Sequence, residues 1–289
     1  MIKESDYIEE TIGENDEILI AISDVHLGFI EKDPLRQLCD KEGINEFFRQ
    51  IRDGKIPCNT LIICGDFFDM WRRDFAGIFV ENYDTISILE EIDEKPSIKL
   101  YFVVGNHDYY LRKLKNHFYP FPFLKALKLK HQETEFRFVH GYQFDPIQIK
   151  AFFDILCLSD DNIGYDMESF WKKIKLLLRA FKGNPVKIIK NWRILPNLLL
   201  KPSIRKAKGL GINDQEVIEY ARKKQCNLIY GHTHEPTAEK TQEGFIVANC
   251  GSWVDPEPNT YVEINVKKKK VRLQTFKDGI IDLIVEKDY

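Results

Sequence analysis

Short apolar runs that stop at polar residues recur along the chain. EILIAISD (17–24) and NTLIICGD (59–66) pass from aliphatic residues straight to a carboxylate. IKLYFVVGNHD (98–108) ends in an amide, an imidazole and a carboxylate, and EFRFVHG (135–141) ends on His140 and Gly141. Runs of this length and composition read as strands. Between the first three lie segments of helical period: 34–52, with Leu35, Leu38, Ile44, Phe47, Phe48 and Ile51, and 78–94, with Ile78, Ile86, Leu89 and Ile92. Strand, helix, strand, helix, strand predicts α/β layering with parallel strands. In such sheets ligands sit beyond the carboxyl ends of the strands, which is where the polar clusters fall.

The pattern resumes near 212. A helix over 213–225 leads into CNLIYGHTHEP (226–236), and GFIVANCGSW, NTYVEINV and KVRLQTF follow as short strands. The lysine run 267–270 falls between two of these and reads as a solvated hairpin tip. Residues 145–210 break the rhythm, being helical in character with no polar cluster at a strand end. From Lys172 to Lys208 there are twelve Lys or Arg and no Asp or Glu, with Leu, Ile, Phe and Trp interleaved. The predicted organisation is a core of 1–144 and 211–289, with 145–210 as a basic helical cap inserted between the strands that carry His140 and His232.

At 289 residues and 44% hydrophobic content, the chain can bury one sizeable core plus a lid. The formal charge of −3 says little by itself, and the stretch from Lys172 to Lys208 with its basic residues and no acid is the more telling feature. Six cysteines without a CxxC pair read as reduced thiols of a cytosolic protein, and Cys64 and Cys250 as small core residues. The acidic N-terminus does not read as a signal peptide, and no stretch approaches a membrane span. The expectation is a soluble, cytoplasmic protein, peripheral at a membrane if the cap binds one. A basic amphipathic segment bearing Trp and Leu suits an anionic bilayer or a lipid tail, and a basic surface can also track nucleic acid.

In chain order the strand ends supply Asp24 and His26, Asp66, Asn106 with His107 and Asp108, His140, then His232 and His234. Were those strands neighbours in one sheet, these side chains would converge at one rim. Carboxylate, imidazole and amide donors together suit Mn2+, Fe2+, Co2+ or Zn2+. The donors are too many for one ion, and Asp66 can bridge two. A pair of ions roughly 3.5–4 Å apart can hold a hydroxide and clamp a phosphoryl group for in-line attack. His117 and His131 lie outside these motifs and read as surface residues. Asp69 either orients a ligand or caps a turn, and NCGSW (249–253) either lines the site or forms a tight turn.

The series DVHLG, GDFFD, GNHD, VHG and GHTH resembles the calcineurin-like metallophosphoesterase family from about residue 17 to 253, the cap apart. The resemblance implies a four-layer α/β/β/α sandwich. It implies one ion, most often Mn2+, on Asp24, His26, Asp66 and His234, and a second on Asp66, Asn106, His140 and His232. His107 corresponds to the catalytic histidine and Asp108 to the group that orients it by accepting its other ring N–H. The helical insertion, GHTHEP and NCGSWV are similar to the UDP-2,3-diacylglucosamine hydrolase branch, which cleaves a pyrophosphate in a lipid-linked nucleotide. The best-known members of that branch carry Arg where this chain has His107. Two alternatives are a Mn-dependent nuclease of the DNA double-strand-break repair type and a non-catalytic scaffold of the same fold.

Overall fold

The computed structural model describes residues 2–13, 17–28, 39–70, 73, 75–109, 111, 122–145, 214–254 and 258–289. In chain order these give strand β1 (Tyr7–Thr11), β2 (Ile18–Ile22), helix α1 (Lys41–Arg52), β3 (Thr60–Cys64), α2 (Phe75–Glu81), α3 (Tyr83–Asp93), β4 (Lys99–Val103) and β5 (Phe123–Leu124). Then follow β6 (Ala126–His131), β7 (Thr134–Phe138), α4 (Asp214–Lys224), β8 (Asn227–Tyr230), β9 (Thr237–Lys240), β10 (Ile246–Asn249), β11 (Thr260–Asn265), β12 (Lys270–Lys277) and β13 (Ile280–Asp288). The strands form two sheets, ordered β1-β6-β7-β8-β10-β9 and β13-β12-β11-β2-β3-β4-β5. Almost all of the predicted cap, and His117, lie outside the described residues.

The continuous apolar runs are explained by burial on both faces. Side chains alternate across a strand, so β2 sends Leu19 and Ala21 between the two sheets and Ile20 and Ile22 towards the helices. Likewise β3 divides Ile62 and Cys64 from Leu61 and Ile63, and β4 divides Tyr101 and Val103 from Leu100 and Phe102. On the outer face of this second sheet α1 packs through Ile44, Phe47, Phe48 and Ile51. Its first turn is capped by Asp40, whose carboxylate accepts the Gly43 N–H at 2.9 Å. Across the first sheet, α4 packs Val217 and Ala221 against Leu228, Tyr230 and Val247. The layers are therefore helices, sheet, sheet, helix, as the resemblance implied.

β2, β3 and β4 pair in parallel, as predicted, and the short β5, which the apolar pattern does not signal, adds in parallel to β4. β7 and β8 also pair in parallel, but in the other sheet. The polar strand ends therefore belong to two facing sheets and not to one. The helical segment expected over 78–94 is split at Asn82, whose Nδ2 donates to the Ile78 carbonyl at 2.8 Å beside its own backbone N–H at 3.1 Å. The lysine run is a hairpin tip joining the antiparallel pair β11 and β12.

The acidic N-terminus hides a strand that the apolar pattern does not signal, because only Tyr7 of β1 is buried. Ion pairs hold it in place: Glu4 meets Arg137 at 2.8 Å and Lys224 at 2.6 Å, and these hydrogen bonds keep its carboxyl well below the usual range. No helix among the described residues is long and apolar enough to cross a membrane.

Phe47 is enclosed by Trp253, Tyr261 and Phe276, with ring centroids at 5.0, 4.8 and 5.1 Å. Phe47→Ala should lower the unfolding free energy by about 3–5 kcal/mol, measured by urea denaturation. A loss below 1 kcal/mol would mean that α1 is not anchored through this ring.

Candidate metal centre

The backbone turns sharply where each parallel strand meets its polar residues. Asp24, His26, Asp66, His232 and His234 have φ of 55°, 54°, 51°, 74° and 60°. Non-glycine residues seldom adopt this left-handed region, at a cost of about 1–2 kcal/mol each. Here it aims the side chains at one place, and strain of this kind concentrates at functional sites. Close packing supports the turns. A Cβ on Gly105 would lie 2.1 Å from Asp66 Oδ1, and one on Gly231 would lie 1.9 Å from Ser23 Oγ.

One group forms around Asp24. Its Oδ2 accepts from Ser23 Oγ at 2.6 Å and from the His232 N–H at 2.7 Å. Its buried Oδ1 makes no hydrogen bond, yet lies 3.2 Å from His234 Nε2 and 3.6 Å from His26 Nε2. The two imidazole nitrogens are themselves 3.2 Å apart. Atoms bound to one ion at ~2.1 Å stand ~3.0–3.4 Å from each other, so this triangle has the size of a coordination shell.

A second group forms around His140. Its Nδ1 donates to the Cys64 carbonyl at 2.8 Å, so in the neutral ring the lone pair is on Nε2. That nitrogen faces Asn106 Oδ1 at 3.1 Å and Asp66 Oδ2 at 3.0 Å. Three acceptors meeting without a donor require a proton or a cation between them. His232 belongs to this group, with candidate ligand atoms of Asp66, His140 and His232 all within 4.8 Å. Its Nε2 is 2.8 Å from Asp145 Oδ2, which leaves Nδ1 for an ion. Asp66 Oδ2 lies 4.0 Å from His26 Nε2, so it stands between the two groups. The donor set fits divalent ions, and the structure brings all seven sequence-derived candidates into one cluster.

His107 stands beside it, with Nε2 3.9 Å from Asp66 Oδ2 and its backbone N–H donating to Asp66 Oδ1 at 2.7 Å. Its Nδ1 is 2.9 Å from Asp69 Oδ1, and burial pushes its pKa down. The expected pairing with Asp108 is not made. Asp108 instead accepts backbone N–H groups of Gly105 at 2.6 Å, Phe67 at 2.8 Å and Phe68 at 3.4 Å. It ties the loop after β4 to the loop after β3. A side chain adjacent to His107 in sequence projects away from it, whereas Asp69 arrives across space. Asp69 therefore orients His107, and also lies 3.6 Å from His26 Nδ1. The second acid of GDFFD was its only sequence signal.

Asn249 braces the loop that carries His232, since its Nδ2 donates to the Gly231 carbonyl at 3.0 Å and to Thr233 Oγ1 at 2.9 Å. Cys64 and Cys250 are fully buried between the sheets, and burial pushes the Cys250 thiol well up. Half-buried His131 sits on β6, outside the cluster.

Facing sheets whose strand ends deliver aspartate, asparagine and histidine into one buried cluster define the class of protein as a metallophosphoesterase sandwich. The calcineurin-like phosphoesterase profile matches residues 19–236, and the chain belongs to that family. A dimetal phosphatase from Danio rerio superposes with a TM-score of 0.52 at 11% identity, over 93% of this chain and 99% of that one. Vacuolar protein sorting 29 from Cryptosporidium parvum gives 0.45 at 14% identity, over 94% and 98%. A phosphoesterase predicted in Streptococcus pneumoniae gives 0.41 at 14%, over 93% and 97%. Identities this low speak to fold alone. No curated protein matches the chain.

Ion-free, the cluster holds protons. Burial opposes charge on His26 and His140, but the aspartates prevail and raise them to about 10 and about 9. Burial likewise opposes charge on Asp24 and Asp66, and the imidazoles hold both low. An ion must therefore displace protons from the imidazoles at neutral pH. Mn2+ affinity should rise between pH 6 and 9, with proton release seen as a buffer-dependent heat in titration calorimetry. A heat independent of buffer ionisation enthalpy would contradict this.

Proposed function

We propose that the protein is a dinuclear metal-dependent phosphoesterase that hydrolyses a phosphodiester or pyrophosphate bond in a lipid-linked or nucleotide substrate, similar to UDP-2,3-diacylglucosamine hydrolases. The reading is carried by one observation: Asp66 Oδ2 lies between two donor groups drawn from two sheets. Asp24, His26, Asp66 and His234 would hold one ion, and Asp66, Asn106, His140 and His232 the other. Mn2+ is the proposed metal, with Fe, Co or Zn as substitutes. Divalent ions held by these residues would supply charge to offset phosphoryl oxygens and would lower the pKa of a water so that it could act as nucleophile.

The remaining work falls to the chain's own groups. His107, oriented through Nδ1 by Asp69, presents Nε2 to a phosphoryl or leaving-group oxygen and donates a proton to it in the imidazolium form. Asp69 favours that form and burial opposes it. Asp108 fixes the Gly105 and Phe67 amides and so sets where His107 stands. The basic, apolar sequence between Asp145 and α4 is the proposed cap. It departs from Asp145, beside His232, and its composition suits a lipid-linked phosphate presented at an anionic membrane surface.

Metal-stripped protein reloaded with Mn2+ should hydrolyse bis(4-nitrophenyl) phosphate, and no turnover with any divalent ion would favour a scaffold. His107→Ala should keep its metal and lose about 10²–10⁴-fold in rate, whereas an unchanged rate would reassign the acid. Neutralising Lys172, Lys173, Lys187 and Lys190 should weaken binding to phosphatidylglycerol vesicles. Weakened DNA binding with vesicle binding intact would support the nuclease instead.

A further inference from the structure

Every imidazole that this structure places in the second group is held by an acceptor on its far nitrogen, and the two acceptors differ in kind. For His140 it is a backbone carbonyl, Cys64 O at 2.8 Å, which no substitution can remove. For His232 it is a side chain, Asp145 Oδ2 at 2.8 Å from Nε2. Asp145 lies outside all of the strand-end motifs, and both partners are buried, at 5% and 4% exposure. A buried carboxylate against a buried imidazole needs a reason, since burying charge is costly unless paired.

The local backbone is built to hold Asp145 in place. Gly141, at φ +125°, turns the chain after His140 into the short 3-10 segment Tyr142–Phe144. Tyr142 and Phe144 are buried, Phe144 rests on Tyr220 with centroids at 5.3 Å, and the Asp145 N–H donates to the Tyr142 carbonyl at 3.1 Å. One continuous stretch, His140 to Asp145, thus delivers both a ring of the second group and the acceptor that orients its neighbour.

Resting on the dinuclear reading above, we infer that Asp145 is a positioning residue for the second ion. Accepting the His232 Nε2–H fixes the tautomer that leaves a lone pair on Nδ1, and turns that nitrogen towards Asp66 and His140. The negative charge also makes the imidazole a stronger donor to the ion. The hydrogen bond from Asp145 goes to His232 of the second group, so the effect is selective for one of two ions.

The test uses metal-stripped full-length protein and Mn2+ alone, titrated by calorimetry, with bound metal counted by elemental analysis. Wild type should take up two ions. In Asp145→Ala the first should bind as before and the second about 10–100-fold more weakly, with loss of the spin-coupled Mn pair signal in electron paramagnetic resonance. Asp145→Asn, which keeps shape and an acceptor oxygen but not charge, should fall between. Equal affinity for the second ion in Asp145→Ala would overturn the inference and leave the dinuclear reading standing. So would equal weakening of both ions together with a lower melting temperature of the ion-free protein, the mark of a fold defect. If wild type binds fewer than two ions, the dinuclear reading fails, and the role of Asp145 fails with it.

Discussion

Asp66 and His140 meet at 3.0 Å, and each comes from a different sheet. The contact is buried, and neither partner can satisfy the other fully while Asn106 Oδ1 also faces the same imidazole nitrogen. Much of the architecture serves this meeting. The two sheets pack through aliphatic and aromatic residues from β2, β3, β4, β6, β7 and β8, which sets the spacing at which one strand end reaches across to another. An apolar layer of this kind excludes water, so charges at its edge act at full strength and must be compensated locally.

That compensation comes at several levels. Ser23, the His232 amide and the His107 amide occupy one oxygen each of Asp24 and Asp66, leaving the second oxygen of each carboxylate aimed inward. Five residues hold left-handed backbone conformations in order to point there. A chain without ligands would gain nothing from so much strain beside so many buried charges, and relaxation to ordinary turns would be easy. Coordination of cations is the gain that offsets both. The same economy explains Asp108, which spends its carboxylate on backbone amides and thereby fixes the loop on which His107 stands.

The legible part of the molecule was the part written in local pattern. Apolar runs ending at Asp24, Asp66 and Asn106 marked β2, β3 and β4, and the period of Ile44, Phe47, Phe48 and Ile51 marked α1. β1 was hidden because a single buried residue, Tyr7, leaves no periodicity to read, its hold being backbone pairing with β6 and ion pairs from distant parts of the chain. The break at Asn82 leaves no mark in the pattern, because one side-chain amide sharing one carbonyl scarcely alters hydrophobic periodicity.

Residue types and their spacing at strand ends determined the candidate donor set and the family, because ligand identity and strand periodicity are local properties of the chain. Which residues touch was decided only in three dimensions. Asp108, next to His107 in the chain, turns away from it, while Asp69 and Asp145 arrive from separate loops to hold His107 and His232. A sequence fixes neither the direction of a side chain at a strained turn nor the distance across two packed sheets, and those two quantities select every partner in this site.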